Sequence, residues 1–196
     1  MCTVALFILP KQHVQTRKNA NGGIGRIDCM RLFYAILLAE EVKDALRTQI
    51  ATLDQNAKQG NFVRQENLHI TLAFLGETNQ VQKALQVLDA VQAVCFLLQV
   101  RGLGRFQRPE GAIYWAGIEK NPALFALQKQ LTEKLRNSGF VLESRPFRPH
   151  LTLGRKVILE PEFLQSDWEH AFAPVQQKVA ALYLMKSERI NGQLLY

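Results

Sequence analysis

Two short stretches of the chain pair an imidazole with a hydroxyl two positions later. NLHITLAFLG (67–76) carries His69 and Thr71, and RPHLTLGR (148–155) carries His150 and Thr152. On a strand, alternation sends His69 and Thr71 to one face and Leu68, Ile70 and Leu72 to the other. Imidazole, with an ordinary pKa of about 6.5, takes or gives a proton near neutrality. Two of them across one cleft supply a base and an acid. Each threonine adds a hydroxyl where a phosphoryl oxygen would sit. Arg155, three residues after Thr152, adds a permanent cation, Arg148 offers another, and guanidinium matches phosphate geometry. The set describes a phosphoester site that needs no metal.

A single histidine on a strand is more often structural, so the weight lies in the repeated context. A zinc site would want a third ligand, and no His, Cys or acidic residue stands at ligand spacing beside either motif. His13 lies in a polar N-terminal stretch, and His170, in DWEHAFAP, reads as a structural loop residue. GLG at 102–104 lacks the third glycine of a dinucleotide fingerprint and reads as a turn. Arg101, Arg105 and Arg108 fit either an RNA path or a solvated basic edge. Phe33, Tyr34, Phe106 and Trp115 read as core, with one of them free to stack on a base.

The elements that must hold these residues show in an internal match at an offset of 81 residues, which carries His69 onto His150, Thr71 onto Thr152 and Leu72 onto Leu153. It also lays LFYAIL (32–37) over IYWAGI (113–118), with Ala35 on Ala116, and ALRTQI (45–50) over ALQKQL (126–131). Each half reads strand, helix, then the His-x-Thr-Leu strand, as related units do. In the second half Asn121-Pro122 supplies an N-cap and an N1 proline. Leu124, Leu127, Leu131 and Leu135 form the helical stripe, and Asn137-Ser138-Gly139 ends it. In the first half Glu40–Leu53 is amphipathic. Thr78 caps a further helix to about residue 93, and CFLLQVRGL follows as a strand. VAALYLMKSE reads as a strand, Asn191-Gly192 as a turn and QLLY as its returning partner. The class is α+β: two pseudo-symmetric lobes, each an antiparallel sheet with helices, around a central cleft. In that arrangement the two His-x-Thr strands meet face to face.

Length and composition agree with one such domain. The chain has 196 residues, 47% hydrophobic and 21% charged, enough to bury a sizeable core. The net charge of +7 favours polyanionic partners modestly. Residues 1–29 carry +3 of it and read as a flexible or mis-assigned extension before Met30, leaving 30–196 as the two-lobed domain. Cys2, Cys29 and Cys95 indicate neither a disulfide framework nor a thiolate zinc site and fit a reducing, cytoplasmic location. No apolar run approaches the roughly 18–20 residues that span a bilayer, and nothing suggests a dimer seam, so a monomer is expected.

ENLHITLAFLGE and RPFRPHLTLGR, with the opening RLFYAILL and the closing LYLMKSERINGQLLY, resemble the paired signatures of the 2H phosphoesterase superfamily. More narrowly they resemble its RNA 2′,3′-cyclic phosphodiesterases, the 2′-5′ RNA ligase-like proteins. The resemblance implies a bilobal α+β fold and metal-independent hydrolysis of a terminal 2′,3′-cyclic phosphate to a 2′-phosphate, without a cofactor. It further implies a minor ATP-independent 2′-5′ ligation, and RNA partners with cyclic phosphate ends, tRNA fragments among the candidates. Its motif residues fall on His69 and His150 as catalytic groups and on Thr71, Thr152 and Arg155 as substrate-binding groups. His150 is read as the base and His69 as the acid, although near-symmetric halves permit the exchange. Two other readings stand beside this one: a 2H enzyme acting on another cyclic phosphate or a 2′-5′ oligonucleotide, and a non-catalytic RNA- or nucleotide-binding module.

Overall fold

Short apolar-alternating runs separated by amphipathic ones give, in a computed structural model, two five-stranded sheets with helices behind them. The structure describes residues 5–9, 29–190 and 193–196, with side chains for 29–188 and 196. In chain order the elements are β1 (Ala5–Leu9), β2 (Met30–Leu37), α1 (Glu40–Gln55), β3 (Ala57–Phe62), β4 (His69–Thr78), α2 (Val81–Ala90) and β5 (Phe96–Phe106). There follow β6 (Ala112–Ile118), α3 (Pro122–Asn137), β7 (His150–Leu159), α4 (Gln165–His170), β8 (Val175–Val179), β9 (Ala181–Ile190) and β10 (Gln193–Leu195). The first sheet has the order β1-β9-β2-β4, with β10 also on β9; the second has the order β3-β7-β6-β5-β8. All pairings are antiparallel except β1 on β9, which is parallel.

The α+β class and the paired lobes hold, but the lobes are not the two halves of the chain. β9-β2-β4 in one sheet corresponds to β5-β6-β7 in the other, so the first lobe takes its third strand from near the C-terminus. β3 leaves the first half and adds to β7 in the second sheet. The helices cross over as well. α1 packs on β3, β7 and β8, whereas α2 and α3 pack on each other and against β9 and β4. Buried polar groups fix this exchange. Tyr34 on β2 donates to the Ala84 carbonyl of α2 at 2.6 Å. Gln177 on β8 accepts from the Ala39 N–H at 2.9 Å and donates to the Leu37 carbonyl at 3.0 Å, clamping the turn into α1. One hydrophobic core runs through both helix-facing sheet surfaces.

Local signals place most boundaries. The Asn121 side chain accepts from the N–H groups of Ala123 and Leu124 at 3.0 and 3.1 Å, and Pro122 sits in the first turn of α3. Such a cap stabilises a helix by about 1 kcal/mol. Gly139, at φ +84°, ends α3, and Phe140 donates back to the Leu135 carbonyl. Four expectations need correction. Thr78 accepts from the Gln80 N–H at 3.1 Å, but the cap position is Gln80 and α2 stops at Ala90, three residues short of 93. GLG is not a turn; Gly102, at φ +74°, makes a bulge inside β5. VAALYLMKSE is broken at Ala180, because β8 joins one sheet and β9 the other. Cys95 is disulfide-bonded, while Cys29 is free and exposed. Missing C-x-x-C spacing argues against metal sites and frameworks, not against a single bond.

The 81-residue match also needs a correction. It holds for β4 against β7, where Ile70 and Leu151, and Leu72 and Leu153, are buried alike, and for Leu46 against Leu127. It fails for β2 against β6. Phe33 and Ala35 face away from the helices, in a small cluster with Met185, whereas Ala116 lies in the main core. A one-residue difference in strand register sends side chains to opposite faces. β4 and β7 meet β2 and β6 in registers one residue apart: Thr71 opposite Ala35, Thr152 opposite Trp115. Most of the proposed 1–29 extension, and the Asn191-Gly192 turn, lie outside the described residues. No helix among the described residues is long and apolar enough to cross a membrane.

Candidate active site

The two His-x-Thr motifs open β4 and β7, and burial alternates along each as their apolar spacing requires. Ile70, Leu72, Leu151 and Leu153 are buried in the core, leaving His69, Thr71, His150 and Thr152 half-buried on the other face. β4 and β7 pack against each other, so the two motifs lie on neighbouring strands of different sheets.

Both imidazoles are held the same way. His69 Nδ1 is 2.8 Å from the Asn67 carbonyl, and His150 Nδ1 is 2.8 Å from the Arg148 carbonyl. A carbonyl only accepts, so Nδ1 carries the proton in each ring and Nε2 is the atom left for chemistry. Nε2 of His69 is 3.1 Å from Thr71 Oγ1. In the neutral ring that nitrogen accepts the threonine proton. Once protonated it donates to the same hydroxyl, which then turns its own proton outward.

Arg155 joins the two motifs. Its Nη2 donates to Thr152 Oγ1 at 3.4 Å, and its charge reaches His69 on the other sheet. Simple alternation from Leu151 and Leu153 would send Arg155 into the core. A bulge prevents this: Trp115 pairs with Thr152 and Tyr114 with Gly154, so Leu153 and Gly154 are buried in succession and Arg155 turns outward. A second bulge follows, between the Tyr114–Gly154 and Ala112–Val157 pairs; Lys156 adopts φ +54° in it, and Gly111 lies beside it at φ +110°. A Cβ on Gly111 would come within 2.7 Å of the Lys156 carbonyl carbon, so only glycine lets the strands approach here.

Aromatic rings wall both histidines. Phe33 lies 4.9 Å from His69, centroid to centroid, and Tyr196 meets the same imidazole edge-on at 4.7 Å. Phe106 meets His150 edge-on at 5.5 Å and also packs on Trp115. Burial is the main reason the His69 pKa falls below its ordinary value. The hydrogen bond to Asn67 opposes the fall, and the Arg155 charge adds to it. Burial likewise raises the Tyr196 phenol, against the pull of Arg155 and Arg31.

Thus His69, Thr71, His150, Thr152 and Arg155 stand together on the adjoining motif strands, and Arg148 contributes its carbonyl. Tyr34 is core. His170 ends a short helix, not a loop, with its ring bonded to the Ser166 carbonyl. His13 lies outside the described residues. Arg105 and Arg108 line a cavity with Tyr114 and Val157, which belong to the helix-side core, so they do not share the face of His150. Phe33 and Phe106, both among the aromatics read as core, are site neighbours, and Tyr196 is one that nothing local marked. Among the described residues no group of three or more His, Cys, Asp or Glu could hold a metal ion.

Comparison with known proteins gives one consistent result. Residues 42–191 match the model of the 2′-5′ RNA ligase superfamily. The chain is 34% identical to an RNA 2′,3′-cyclic phosphodiesterase of Geobacillus stearothermophilus over 68% of its own length, and spans about half (46%) of that protein. A protein of the same name from Escherichia coli K12 is 35% identical, with 64% of this chain and 71% of that one covered. Among solved structures, E. coli LigT complexed with 3′-AMP superposes with a TM-score of 0.70 at 26% identity, covering 86% of this chain and 94% of that one. TT0787 of Thermus thermophilus also gives 0.70, at 25% identity, over 85% and 93%.

Proposed function

The chain belongs to the 2′-5′ RNA ligase superfamily, and on that premise we propose that it hydrolyses the 2′,3′-cyclic phosphate at the end of an RNA to a 2′-phosphate. The observation that carries this reading is the matched pair of Nδ1–carbonyl hydrogen bonds, which leave Nε2 of His69 and of His150 as the reactive atoms on adjoining strands. The names of its curated relatives support the substrate class.

In the proposed step a water oxygen attacks phosphorus as His150 Nε2 takes its proton. The bond from phosphorus to the 3′-oxygen breaks, and His69 Nε2 gives that oxygen its proton, so a 3′-hydroxyl and a 2′-phosphate result. The acid must hold a proton, although burial lowers the His69 pKa. A phosphate anion against Arg155 offsets the repulsion that the guanidinium exerts on the imidazolium and so moves that pKa upward as the phosphate binds. Thr71, its hydroxyl proton then turned outward, joins Thr152 and Arg155 in holding the non-bridging oxygens as negative charge concentrates there. None of these residues requires a metal for its part. The reverse reaction, with a 5′-hydroxyl in place of water, uses the same groups and gives a 2′-5′ linkage.

The test is product analysis on a short end-labelled RNA bearing a 2′,3′-cyclic phosphate. The wild type should release a 2′-phosphate end. His69→Ala and His150→Ala should each lose at least about a hundredfold in kcat with unchanged circular dichroism, as removal of a general acid or base does. Salt-sensitive RNA binding without turnover would instead identify a binding module.

A further inference from the structure

Resting on that reading of the site, we propose that Phe74 and Arg31 form a second nucleotide subsite: Phe74 stacks on the base of the nucleotide upstream of the cyclic end, and Arg31 holds its phosphodiester.

His69 and Thr71 stand on the face of the first sheet that is turned from the main core. Phe33, Ala35 and Leu37 point to that face of β2, away from the main core, and alternation puts Arg31 there too. The rings step away from the imidazole in order: Phe33 lies 4.9 Å from His69, and Phe74, opposite Phe33 on β4, lies 5.4 Å further along. Phe33 is fully buried, whereas Phe74 is 45% exposed. The row therefore starts beneath the reacting group and ends in an open aromatic surface. Aromatic surfaces beside a charged track hold single-stranded nucleic acid by stacking, with little regard to base identity.

Charge continues along the same row. Tyr196, edge-on to both His69 and Phe33, carries a phenol on which the charges of Arg155 and Arg31 both act, so both guanidiniums lie within electrostatic reach of it. Arg31 is exposed, and no carboxylate among the described residues is within ion-pair distance of it. Glu77 stands opposite Arg31 in the β2–β4 register without pairing with it. An unpaired cation beyond an aromatic step from the reacting phosphate suits an anion that repeats along a chain. A terminal cyclic phosphate on RNA always has such a chain upstream, which selects RNA over an isolated cyclic nucleotide.

The test compares kcat/KM for cytidine 2′,3′-cyclic phosphate with that for a trinucleotide having the same cyclic end. The wild type should prefer the trinucleotide by about tenfold or more, the size of effect one stacked base gives. Phe74→Ala and Arg31→Gln should each remove most of that preference. Phe74→Leu, which keeps the apolar bulk, should behave like Phe74→Ala. Arg31→Gln should also flatten the log–log salt dependence for the trinucleotide by about one unit. Hydrolysis of both substrates with no wild-type preference, or an equal loss on both in the variants, overturns the subsite and leaves the proposed chemistry standing. Hydrolysis of neither brings down the reading of the site and the subsite with it.

Discussion

The Arg155 guanidinium on β7 acts on the His69 imidazole on β4, helping burial to hold its pKa below the ordinary 6.5. This electrostatic link ties the two motifs together across two sheets. Replacing the cation with Gln should raise the His69 pKa, because the repelling charge is gone. The value should stay below 6.5, because desolvation is the larger cause. An imidazole NMR titration of Arg155→Gln measures both. Activity should fall by about 10²–10³-fold, as when a donor to a developing oxyanion is removed. A His69 pKa unchanged by the substitution would mean that the two groups do not share a site.

The pH profile of the wild type does not separate acid from base, since either assignment gives a bell, but a variant with one histidine does. In His150→Ala only His69 remains. As the acid it works protonated, so the residual kcat/KM, which reports the free enzyme, should fall as pH rises through a value below 6.5. A residual rate that climbs through the same value would exchange the two roles.

Gly111 packs against Lys156 in the bulge that directly follows Arg155. Gly111→Ala places a Cβ about 2.7 Å from the Lys156 backbone at φ +110°, where an L side chain is strained. Stability should drop by about 1–3 kcal/mol in urea unfolding, and kcat should drop with it as Arg155 shifts. Gly139→Ala is the control. Its φ is +84°, but a Cβ there meets nothing within 4 Å, so it should lose stability and keep kcat. Equal kcat for the two variants would separate the bulge from catalysis.

These relationships mark the boundary of what the sequence discloses. The His-x-Thr spacing, the Asn121-Pro122 cap and the leucine stripe of α3 act over a few residues, and their physics is local. The partners of β3, β9 and each helix are not, because strand exchange between lobes is decided by which faces bury each other. The 81-residue match illustrates the limit: it aligns His69 with His150, yet turns Ala35 and Ala116 to opposite faces. Arg155 lay in plain view, but its exposure depends on a bulge at Leu153–Gly154 that the alternation of the strand does not show. Tyr196 reaches His69 only because the chain returns beyond β9 and β10.

The central claim is that Nε2 of His69 and Nε2 of His150 contact one phosphate. The direct measurement is ¹⁵N NMR of the imidazoles during titration with a nucleoside 2′-monophosphate. Both Nε2 resonances should move together, along a single binding curve, and Arg155→Gln should weaken that curve for both. Movement of one imidazole alone, or two curves with separate midpoints, would contradict the account.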